Sequence, residues 1–324
     1  MIVISYQDLG LANPKGMLSR AYTGGYAVPA FNFVFAEQLS AIVDACIAKE
    51  TSFILQASAH VCANIGLGVV RHLAAAAAEK IALSGSGIQM ALNLDHGPCF
   101  ADCKDCIENG FSAVMIDGSA LDFADNIALT REVVLFAHRY DVNVEGELGV
   151  LSGTEEGIAH TESQYTDPDA VREFVEKTGV DALAVSIGTC HGLVKIRPDA
   201  NGELPPLRFD ILGKIAEKLP GFPIVLHGSS CLYPEYIDTI NQYGGCVTAA
   251  QGIPEDEVRK AAATAVCKIN VASDGWAAAM AATRKALDAH RDAIDPRVFL
   301  RPAYQEMRSL YERKIDLFMC AGKR

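Results

Sequence analysis

Short β-branched, apolar runs alternate along this chain with longer segments whose apolar residues recur at helical spacing. Eight such runs occur, at residues 26–33, 52–58, 89–95, 112–118, 142–149, 181–188, 222–228 and 266–272. Between them, AEQLSAIVDACIAKE and VVRHLAAAAAEKIAL show the clearest helical period. Eight strand–helix units predict an α/β fold in which a parallel sheet closes on itself, a (β/α)8 TIM barrel. An open, doubly wound sheet is the alternative, but it normally has fewer strands and a glycine fingerprint that this sequence lacks.

The chain shows no internal boundary, because no Pro-, Ser- or Gly-rich linker interrupts its 324 residues. Barrels of this type often reach such a length as one domain, so we expect a single domain over residues 1–324. From about residue 275 to 324 the pattern is helical with a break at Asp295-Pro296, which predicts additional C-terminal helices outside the barrel or on a partner subunit. The polar segment 151–163 is predicted to be a mobile active-site loop, although a plain surface loop fits nearly as well.

The composition of the chain argues against several classes of binding partner. The chain carries 28 basic and 40 acidic side chains, a formal charge of −12, which argues against binding to nucleic acid or to an anionic membrane. No apolar run reaches the length of a membrane span, and the N-terminus lacks the pattern of a signal peptide. Several of the ten cysteines, such as Cys46 and Cys267, lie in apolar stretches, as small buried thiols do in a reducing compartment. We therefore expect a cytoplasmic protein.

Three of the eight histidines follow an apolar run and precede a glycine: His96 in LNLDHG, His191 in IGTCHG and His227 in IVLHG. This places them just past the ends of three predicted strands. In a closed barrel the carboxyl ends of the strands share one rim, where the catalytic residues of this fold lie. Three imidazoles with an open fourth position are a common ligand set for catalytic zinc. Three unrelated loop histidines are the alternative, but their shared position favours a zinc site.

Carboxylates accompany the histidines at the same predicted rim. Asp95 precedes the first histidine, and its charge suits a general acid–base role, although a partner that orients an imidazole is the alternative. Asp117 follows the fourth strand, and Glu145 and Glu147 lie on the fifth. This group could hold a second cation or brace the histidines, and the sequence does not separate the two roles.

Small residues and hydroxyls follow strands six to eight, in HGLVK (191–195), HGSS (227–230) and NVASD (270–274). Backbone N–H groups after the last strands of such barrels commonly hold a phosphate, and Lys195 could supply a compensating charge. Asn32 and Ser58, after the first two strands, add polar groups to this rim. Beside a metal site, such loops indicate a phosphate-bearing ligand.

Two other patterns suggest different chemistry and are disfavoured. Cys99, Cys103 and Cys106 have the C-x3-C-x2-C spacing of radical iron–sulfur enzymes, but this spacing also fits one helix and directly follows His96. Lys268 in the eighth strand could form a Schiff base with a ketone, but its neighbours do not decide which way it points. With a metal site available, the imine route is redundant.

Together these motifs resemble the class II, metal-dependent ketose-bisphosphate aldolases, the fructose- and tagatose-bisphosphate aldolase family. The resemblance covers nearly the full length and rests on YAVPAFNF, LNLDHG, VMIDGS, VEGELG, YTDPDAV, VDALAVSIGTCHG, LHGSS, KINVAS and the closing DPRVFLRPA…AGK. It implies a lyase that reversibly cleaves a ketose 1,6-bisphosphate to dihydroxyacetone phosphate and glyceraldehyde 3-phosphate. It also implies a homodimer or homotetramer.

The resemblance implies roles for the central residues. It places the catalytic zinc on His96, His191 and His227, where the zinc stabilises the enediolate left by carbon–carbon cleavage. It makes Asp95 the acid–base group at the C4 hydroxyl. It makes Glu155, in the 151–163 segment, the group that exchanges the C3 proton.

The resemblance also implies roles for outlying residues. Asp117 and Glu145 fall in motifs linked to a second or alternative metal position, and Arg297 matches an arginine that holds the distal phosphate in a neighbouring subunit's active site. A cradle for the dihydroxyacetone phosphate end, often assisted by a monovalent cation such as Na⁺ or K⁺, is implied at Gly192, Lys195, Gly228, Ser230, Asn270 and Ser273.

The chain departs from the family pattern at three places. It reads GTEEG where GG-x-E-D-G is more usual, Cys190 replaces a common alanine, and Ala272 stands where fructose-specific members carry Asp or Asn. Because tagatose-type members share Asn-Val-Ala there, the sugar stays open between fructose, tagatose and another phosphorylated ketose. A different metal-dependent barrel enzyme and a non-catalytic barrel subunit are the remaining alternatives. The subunit should lack part of the His/Asp set, which this chain retains.

Overall fold

Eight parallel strands form a closed barrel in the computed structural model, which describes residues 3–155, 158–160, 164–198, 201 and 203–324, with the backbone alone at 154, 155 and 158–160. The ten strands of the described chain are β1 (Val28–Asn32), β2 (Phe53–Ser58), β3 (Met90–Gly97), β4 (Ala113–Ile116), β5 (Asn143–Leu148), β6 (Gly153–Glu155), β7 (Ile158–His160), β8 (Ala182–Val185), β9 (Ile224–Leu226) and β10 (Val266–Val271). The barrel closes in the order β1-β10-β9-β8-β5-β4-β3-β2. The predicted TIM barrel is therefore confirmed.

Helices alternate with the barrel strands and cover their outer faces. The helices of the described chain are α1 (Lys15–Gly24), α2 (Ala36–Ala48), α3 (Ala59–Ile65), α4 (Leu67–Ser84), α5 (Phe100–Glu108), α6 (Phe123–Ala137), α7 (Val171–Thr178), α8 (Phe209–Lys218), α9 (Pro234–Gln242), α10 (Glu255–Thr264), α11 (Ser273–Ala289) and α12 (Arg297–Leu317), with 3₁₀ turns at Gln7–Leu9 and His138–Tyr140. Since helices cover one face of the sheet and side chains fill the other, strands such as AVMI and ALAV are apolar throughout and fully buried.

The strands that precede two of the histidines end earlier than the sequence predicts. The runs 181–188 and 222–228 contain only the strands β8 and β9, each of three or four residues. Strand β8 stops because the backbone N–H of Ser186 donates to the hydroxyl of Thr166 at 2.8 Å, and its carbonyl accepts from the Thr166 N–H at 3.0 Å. Pairing with this outside segment replaces pairing within the sheet.

The three histidines consequently occupy different positions relative to their strands. His227 directly follows β9, as predicted. His96 lies within β3 and His191 lies in the loop beyond β8, so the prediction that both sit just past a strand end is wrong. Their strands are also not all neighbours: β8 and β9 pair, but β3 lies across the barrel mouth from them.

The 151–163 segment, predicted as a loop, contains an antiparallel hairpin. Strands β6 and β7 pair with Gly153 opposite His160. The hairpin is anchored where Val150 and Gln164 exchange two backbone hydrogen bonds of 2.8 Å. Residues 156, 157 and 161–163 of this segment lie outside the described residues.

Two helices follow the last barrel strand, as predicted, and the break at Asp295-Pro296 separates them. Helix α12 packs against α11 and against α2, on the outside of the barrel. Among the helices of the described residues, none alone has the length and apolar composition of a membrane span. Only α3 and α4 together pass that test, as a pair bent by 102°.

Candidate active site

A cleft lies at the carboxyl ends of the barrel strands. Most of its lining was predicted from the sequence, since nine of the candidate residues meet there. The lining consists of Asn32, Asp95, His96, His191, Lys195, His227, Gly228, Ser229, Ser230, Asn270 and Ala272. The closed barrel brings these residues together from five strand ends that are far apart in the sequence.

The three predicted zinc ligands converge at the floor of this cleft. The ring of His96 lies edge-to-face against both other histidines, with centroid distances of 5.0 Å to His191 and 4.8 Å to His227. Nε2 of His96 and Nδ1 of His227 lie 2.9 Å apart. His96 reaches this position from a left-handed backbone conformation, φ +49°, which is uncommon outside glycine, Asn and Asp.

Carboxylates determine which ring nitrogens carry protons. Asp117 Oδ2 lies 2.9 Å from Nδ1 of His96, and Glu145 Oε1 lies 2.8 Å from Nε2 of His227. An ionised carboxylate only accepts hydrogen bonds, so each of these nitrogens donates one to its carboxylate. In the neutral tautomer that this contact selects, the other nitrogen of each ring presents its lone pair to the facing ring.

This arrangement fits a bound divalent metal ion. Two lone pairs that face each other at 2.9 Å repel unless a cation or a proton lies between or beside them. Ligand atoms of Asp95, His96 and His227 all lie within 4.8 Å of one another, and His191 adjoins them. Neutral imidazoles, each braced by a carboxylate through its other nitrogen, are characteristic zinc ligands.

Asp117 and Glu145 were predicted as metal ligands, and the structure places both against the outer nitrogens of the histidines. Asp117 also belongs, with His96 and Glu147, to a second group whose ligand atoms lie within 4.8 Å. The second-ion role proposed for Asp117 therefore stays compatible with its position. Both carboxylate oxygens of Glu145 already form hydrogen bonds, Oε1 with His227 and Oε2 with Lys268.

Asp117 is half-buried and Glu145 is buried, yet both carboxylates favour the ionised form. Burial alone raises the pKa of Asp117, but hydrogen bonds from His96 and Ser119 outweigh it and hold the pKa well below its usual range. Burial likewise raises the pKa of Glu145, and the charge of Lys268 with the hydrogen bond to His227 brings that pKa down to about 2.

Two amides hold the carboxylate of Asp95 at the cleft. Asn32 donates to Oδ2 at 2.7 Å and Asn270 donates to Oδ1 at 3.0 Å. Asn32 is held in turn by Gln56, whose amide donates to its Oδ1 at 3.0 Å. Asp95 is 3% exposed and therefore reaches solvent only through the cleft.

The loops after β8 and β9 pack closely against each other. The Cys190 N–H donates to the carbonyl of Lys195 at 2.8 Å, which closes the turn that carries His191. Gly228, at φ +64°, approaches this turn so closely that a Cβ would lie 2.6 Å from the Cys190 carbonyl oxygen. A Cβ on Gly153 would lie 2.2 Å from the His191 carbonyl oxygen, so the hairpin also packs on this turn.

Of the fully described residues, six predicted site residues do not line the cleft: Ser58, Asp117, Glu145, Gly192, Ser273 and Arg297. Ser58 instead caps helix α3, accepting a hydrogen bond from the Val61 N–H at 3.2 Å. The Arg297 side chain is 85% exposed and pairs with Asp295 at 2.7 Å. The backbone of Glu155 lies in β6, and its side chain is outside the described residues.

Sequence reasoning missed two contributions. Ser229 lines the cleft, and its hydroxyl donates to the Asn270 carbonyl at 3.1 Å. Lys268 was considered only as an imine-forming lysine, yet it is 1% exposed and ion-paired to Glu145 at 2.7 Å. Its spacing of two from Asn270 places both on one face of the strand, a signal that could have found it.

Comparisons with known proteins agree with this arrangement. A sequence profile described as class-II fructose-bisphosphate aldolase matches residues 12–323. A fructose-bisphosphate aldolase of Treponema pallidum is 49% identical over 319 residues, covering 96% of each chain. One of Giardia intestinalis is 38% identical over 312 residues, covering 96% of this chain and 94% of the relative. The crystal structure of the YdjI aldolase from Escherichia coli K12 superposes with a TM-score of 0.74 at 27% identity, covering 97% of this chain and 99% of that one.

Proposed function

Since the chain belongs to the class II fructose-bisphosphate aldolase family and is a lyase, we propose that it cleaves a ketose 1,6-bisphosphate through a zinc ion on His96, His191 and His227. The products are dihydroxyacetone phosphate and glyceraldehyde 3-phosphate. One observation carries this proposal: Nε2 of His96 and Nδ1 of His227 face each other at 2.9 Å beside the carboxylate of Asp95. When bound, the zinc supplies Lewis-acid stabilisation of negative charge on substrate oxygens.

Asp95 performs the proton transfer in this proposal. Its carboxylate accepts the proton of the substrate's C4 hydroxyl, which allows the C3–C4 bond to break and the aldehyde to leave. The donors Asn32 and Asn270 keep both carboxylate oxygens oriented toward the cleft. Because these amides are buried and cannot titrate, they hold the carboxylate in place whatever its charge.

Lys195 and the loop beyond β9 hold the phosphate of the dihydroxyacetone phosphate half. The lining at this end combines a cation with Gly228, Ser229 and Ser230, which offer backbone and hydroxyl donors. Lys195 is 4% exposed, so its charge acts in a poorly solvated setting where it attracts an anion strongly. This local charge offsets the chain's overall −12.

Glu155 and Arg297 complete the proposal. Glu155 protonates the carbon at C3, and its hairpin begins at Gly153, which packs on the His191 turn. Arg297 is too solvent-exposed, at 85%, to serve the cleft of its own chain as described. We therefore assign it to the distal phosphate in a neighbouring subunit, which requires a homodimer or homotetramer.

The sugar is the open element of this proposal. Ala272 lines the cleft, where a methyl group offers the aldehyde half of the substrate no hydrogen-bond partner. Tagatose 1,6-bisphosphate, or another phosphorylated ketose that differs at C4, therefore remains the alternative to fructose 1,6-bisphosphate. A coupled assay of both sugars, with and without chelator, decides between them.

The ten cysteines are all free thiols, which fits the cytoplasmic location that we propose.

His227→Ala tests the proposed function. We expect it to lose both the bound zinc and the retro-aldol activity, because it removes one of three ligands. His72→Ala, at an exposed position on α4, should keep one zinc per chain and native activity. Full activity in the His227 variant, or in chelator-treated native protein shown to be free of metal, would refute the zinc mechanism.

A further inference from the structure

A buried lysine lies behind the histidine cluster. Nζ of Lys268 is 2.7 Å from Oε2 of Glu145, and Oε1 of the same carboxylate is 2.8 Å from Nε2 of His227. The opposite nitrogen of His227 faces His96 at 2.9 Å. One unbroken line of contacts therefore joins the lysine to the metal-binding side of the ring.

The local structure of β10 directs Lys268 into this line. Its register with β9 shifts between Val266 and Lys268, so that one extra residue, Cys267, is accommodated. Lys268 and Asn270 then lie on the inner face of the barrel, Asn270 toward Asp95 and Lys268 toward Glu145. Within the described cleft lining Lys268 is absent, so it does not reach the substrate.

The ammonium group fixes Glu145 from the side that His227 does not contact. The carboxylate is held at both oxygens by groups that are 1% exposed, which leaves its plane little freedom to rotate. Without Lys268, one oxygen of a buried carboxylate would lose a charged partner at 2.7 Å, and the carboxylate would hold the His227 ring less rigidly.

We propose that Lys268 is a positioning residue for zinc binding: it anchors Glu145, which holds the His227 ring with Nδ1 directed at the ion. This inference rests on the proposed function, because it assumes zinc on the histidines. Carboxylates that orient a metal-binding histidine typically contribute 10- to 100-fold to metal affinity. Lys268 acts on the histidine indirectly, through that carboxylate.

Zinc affinity, measured by competition with a chromophoric chelator on metal-free protein, tests this. We expect Lys268→Met to weaken zinc binding roughly 10- to 100-fold. Glu145→Gln should weaken it to a similar extent. The double variant should bind zinc no more weakly than Glu145→Gln alone, because both residues act along one path.

Thr178→Val is the control for a merely structural effect. Thr178 is also buried, at 3% exposed, and its hydroxyl donates to the Phe174 carbonyl at 2.7 Å within α7, which contributes no residue to the cleft lining. The change should lower stability while leaving zinc affinity within about twofold of native, since a merely structural role does not act on the metal site. An equal loss of affinity in the Lys268 and Thr178 variants would overturn the specific role of Lys268.

The remaining outcomes are also decisive. Native zinc affinity in folded Lys268→Met, with tight binding by the native protein, overturns this inference and leaves the proposed function standing. A native protein that binds no zinc overturns both this inference and the proposed function.

If Lys268→Met does not fold, the double variant, which buries no unpaired charge, replaces the single variant in the test. Binding tenfold weaker than that of Glu145→Gln would then show that Lys268 does not act through Glu145.

Discussion

At the scale of single residues, the cleft combines a titratable carboxylate with fixed amide donors. In the proposed reaction Asp95 is the group that exchanges protons, while Asn32 and Asn270 hold its carboxylate in place by hydrogen bonds. Removing the carboxylate while keeping its shape should therefore separate proton transfer from metal binding.

Asp95→Asn should lower kcat by about 10²- to 10⁴-fold, the usual contribution of a general acid–base group. Zinc content should stay near one per chain, because three histidines remain. Asp125→Asn, at an exposed position on α6, serves as the control and should leave kcat unchanged. A kcat within threefold of native in the Asp95 variant would contradict the assignment.

Gly228 is a residue whose lack of a side chain has a definite cause. Gly228→Ala places a Cβ 2.6 Å from the Cys190 carbonyl oxygen and forces alanine to φ +64°. We expect a loss of about 2–4 kcal/mol in unfolding free energy, from the left-handed conformation and the overpacking together. Urea denaturation of the metal-free protein measures it.

The matched comparison is Gly213→Ala in helix α8, where an added Cβ meets nothing within 4 Å. That change should stabilise the chain by about 0.5–1 kcal/mol, because alanine favours the helix. A Gly228 variant as stable as native would mean that the two loops separate freely.

At the scale of elements, helix α5 explains the cysteine spacing that resembled a cluster motif. Cys103 and Cys106 are buried on its inner face, whereas Cys99 is exposed before its first turn. Burial raises the pKa of Cys103 well above its usual range, and a hydrogen bond with Cys62, together with burial, does the same for Cys106. Three sulfur atoms placed this way do not converge on one cluster.

A thiol-specific reagent at pH 8 should therefore modify two of the ten cysteines quickly, Cys99 and Cys246, the exposed pair. The thiolate is the reactive form, and burial keeps the other eight thiols out of reach of the reagent. All ten should react in denaturant. Rapid reaction of Cys103 or Cys106 in the folded protein would contradict their described burial.

Helix α12 is joined to the active-site loops by a buried ion pair. Lys314 pairs with Asp274, which also accepts from the backbone N–H groups of Cys231 and Leu232 at 3.0 and 2.6 Å. These two residues directly follow the loop that carries His227 and Ser230. The C-terminal helix thereby supports the loop beyond β9, although Lys314 is not part of the cleft lining.

This pair predicts a pH dependence of stability. Burial lowers the pKa of Lys314, but Asp274 outweighs burial and raises it above the ordinary value. A raised pKa contributes stability that is complete below the unfolded-state pKa, about 10.4, and is lost as pH rises through the folded-state value. Lys314→Met should cost about 3–5 kcal/mol at pH 7 and should flatten this alkaline decline, as measured by urea denaturation across pH.

At the scale of the whole molecule, the barrel was predictable because most of its strands are buried on both faces and are rich in apolar residues. Eight such runs with intervening helices leave few ways to cover every face. The lengths of the strands were not predictable. Strand β8 ends at Val185 because the next residue, Ser186, forms its backbone hydrogen bonds with Thr166, 20 residues earlier in the chain. The apolar pattern around β8 gives no indication of this hydrogen-bond partner.

The site was predictable in its members but not in their connections. The motif order identified His96, His227 and Asp95, and the barrel brings all three together. Which ring nitrogen each carboxylate contacts depends on differences of a few Å in the positions of side chains from different strands. The spacing of two from Asn270 indicates that Lys268 points inward, but its pairing with Glu145 joins two strands that are distant in the sequence, and no local pattern reveals it.

The facing nitrogens of His96 and His227 give the folded chain a property that extends beyond its reaction. An unfolded chain does not hold these rings 2.9 Å apart, so an ion bound there stabilises only the native state. By mass action, the unfolding free energy should rise by about 2.7 kcal/mol when free zinc exceeds its dissociation constant 100-fold. The melting temperature of the protein then depends on the concentration of free zinc. In a cell depleted of zinc, the persistence of the protein itself, and not only its turnover rate, would decline.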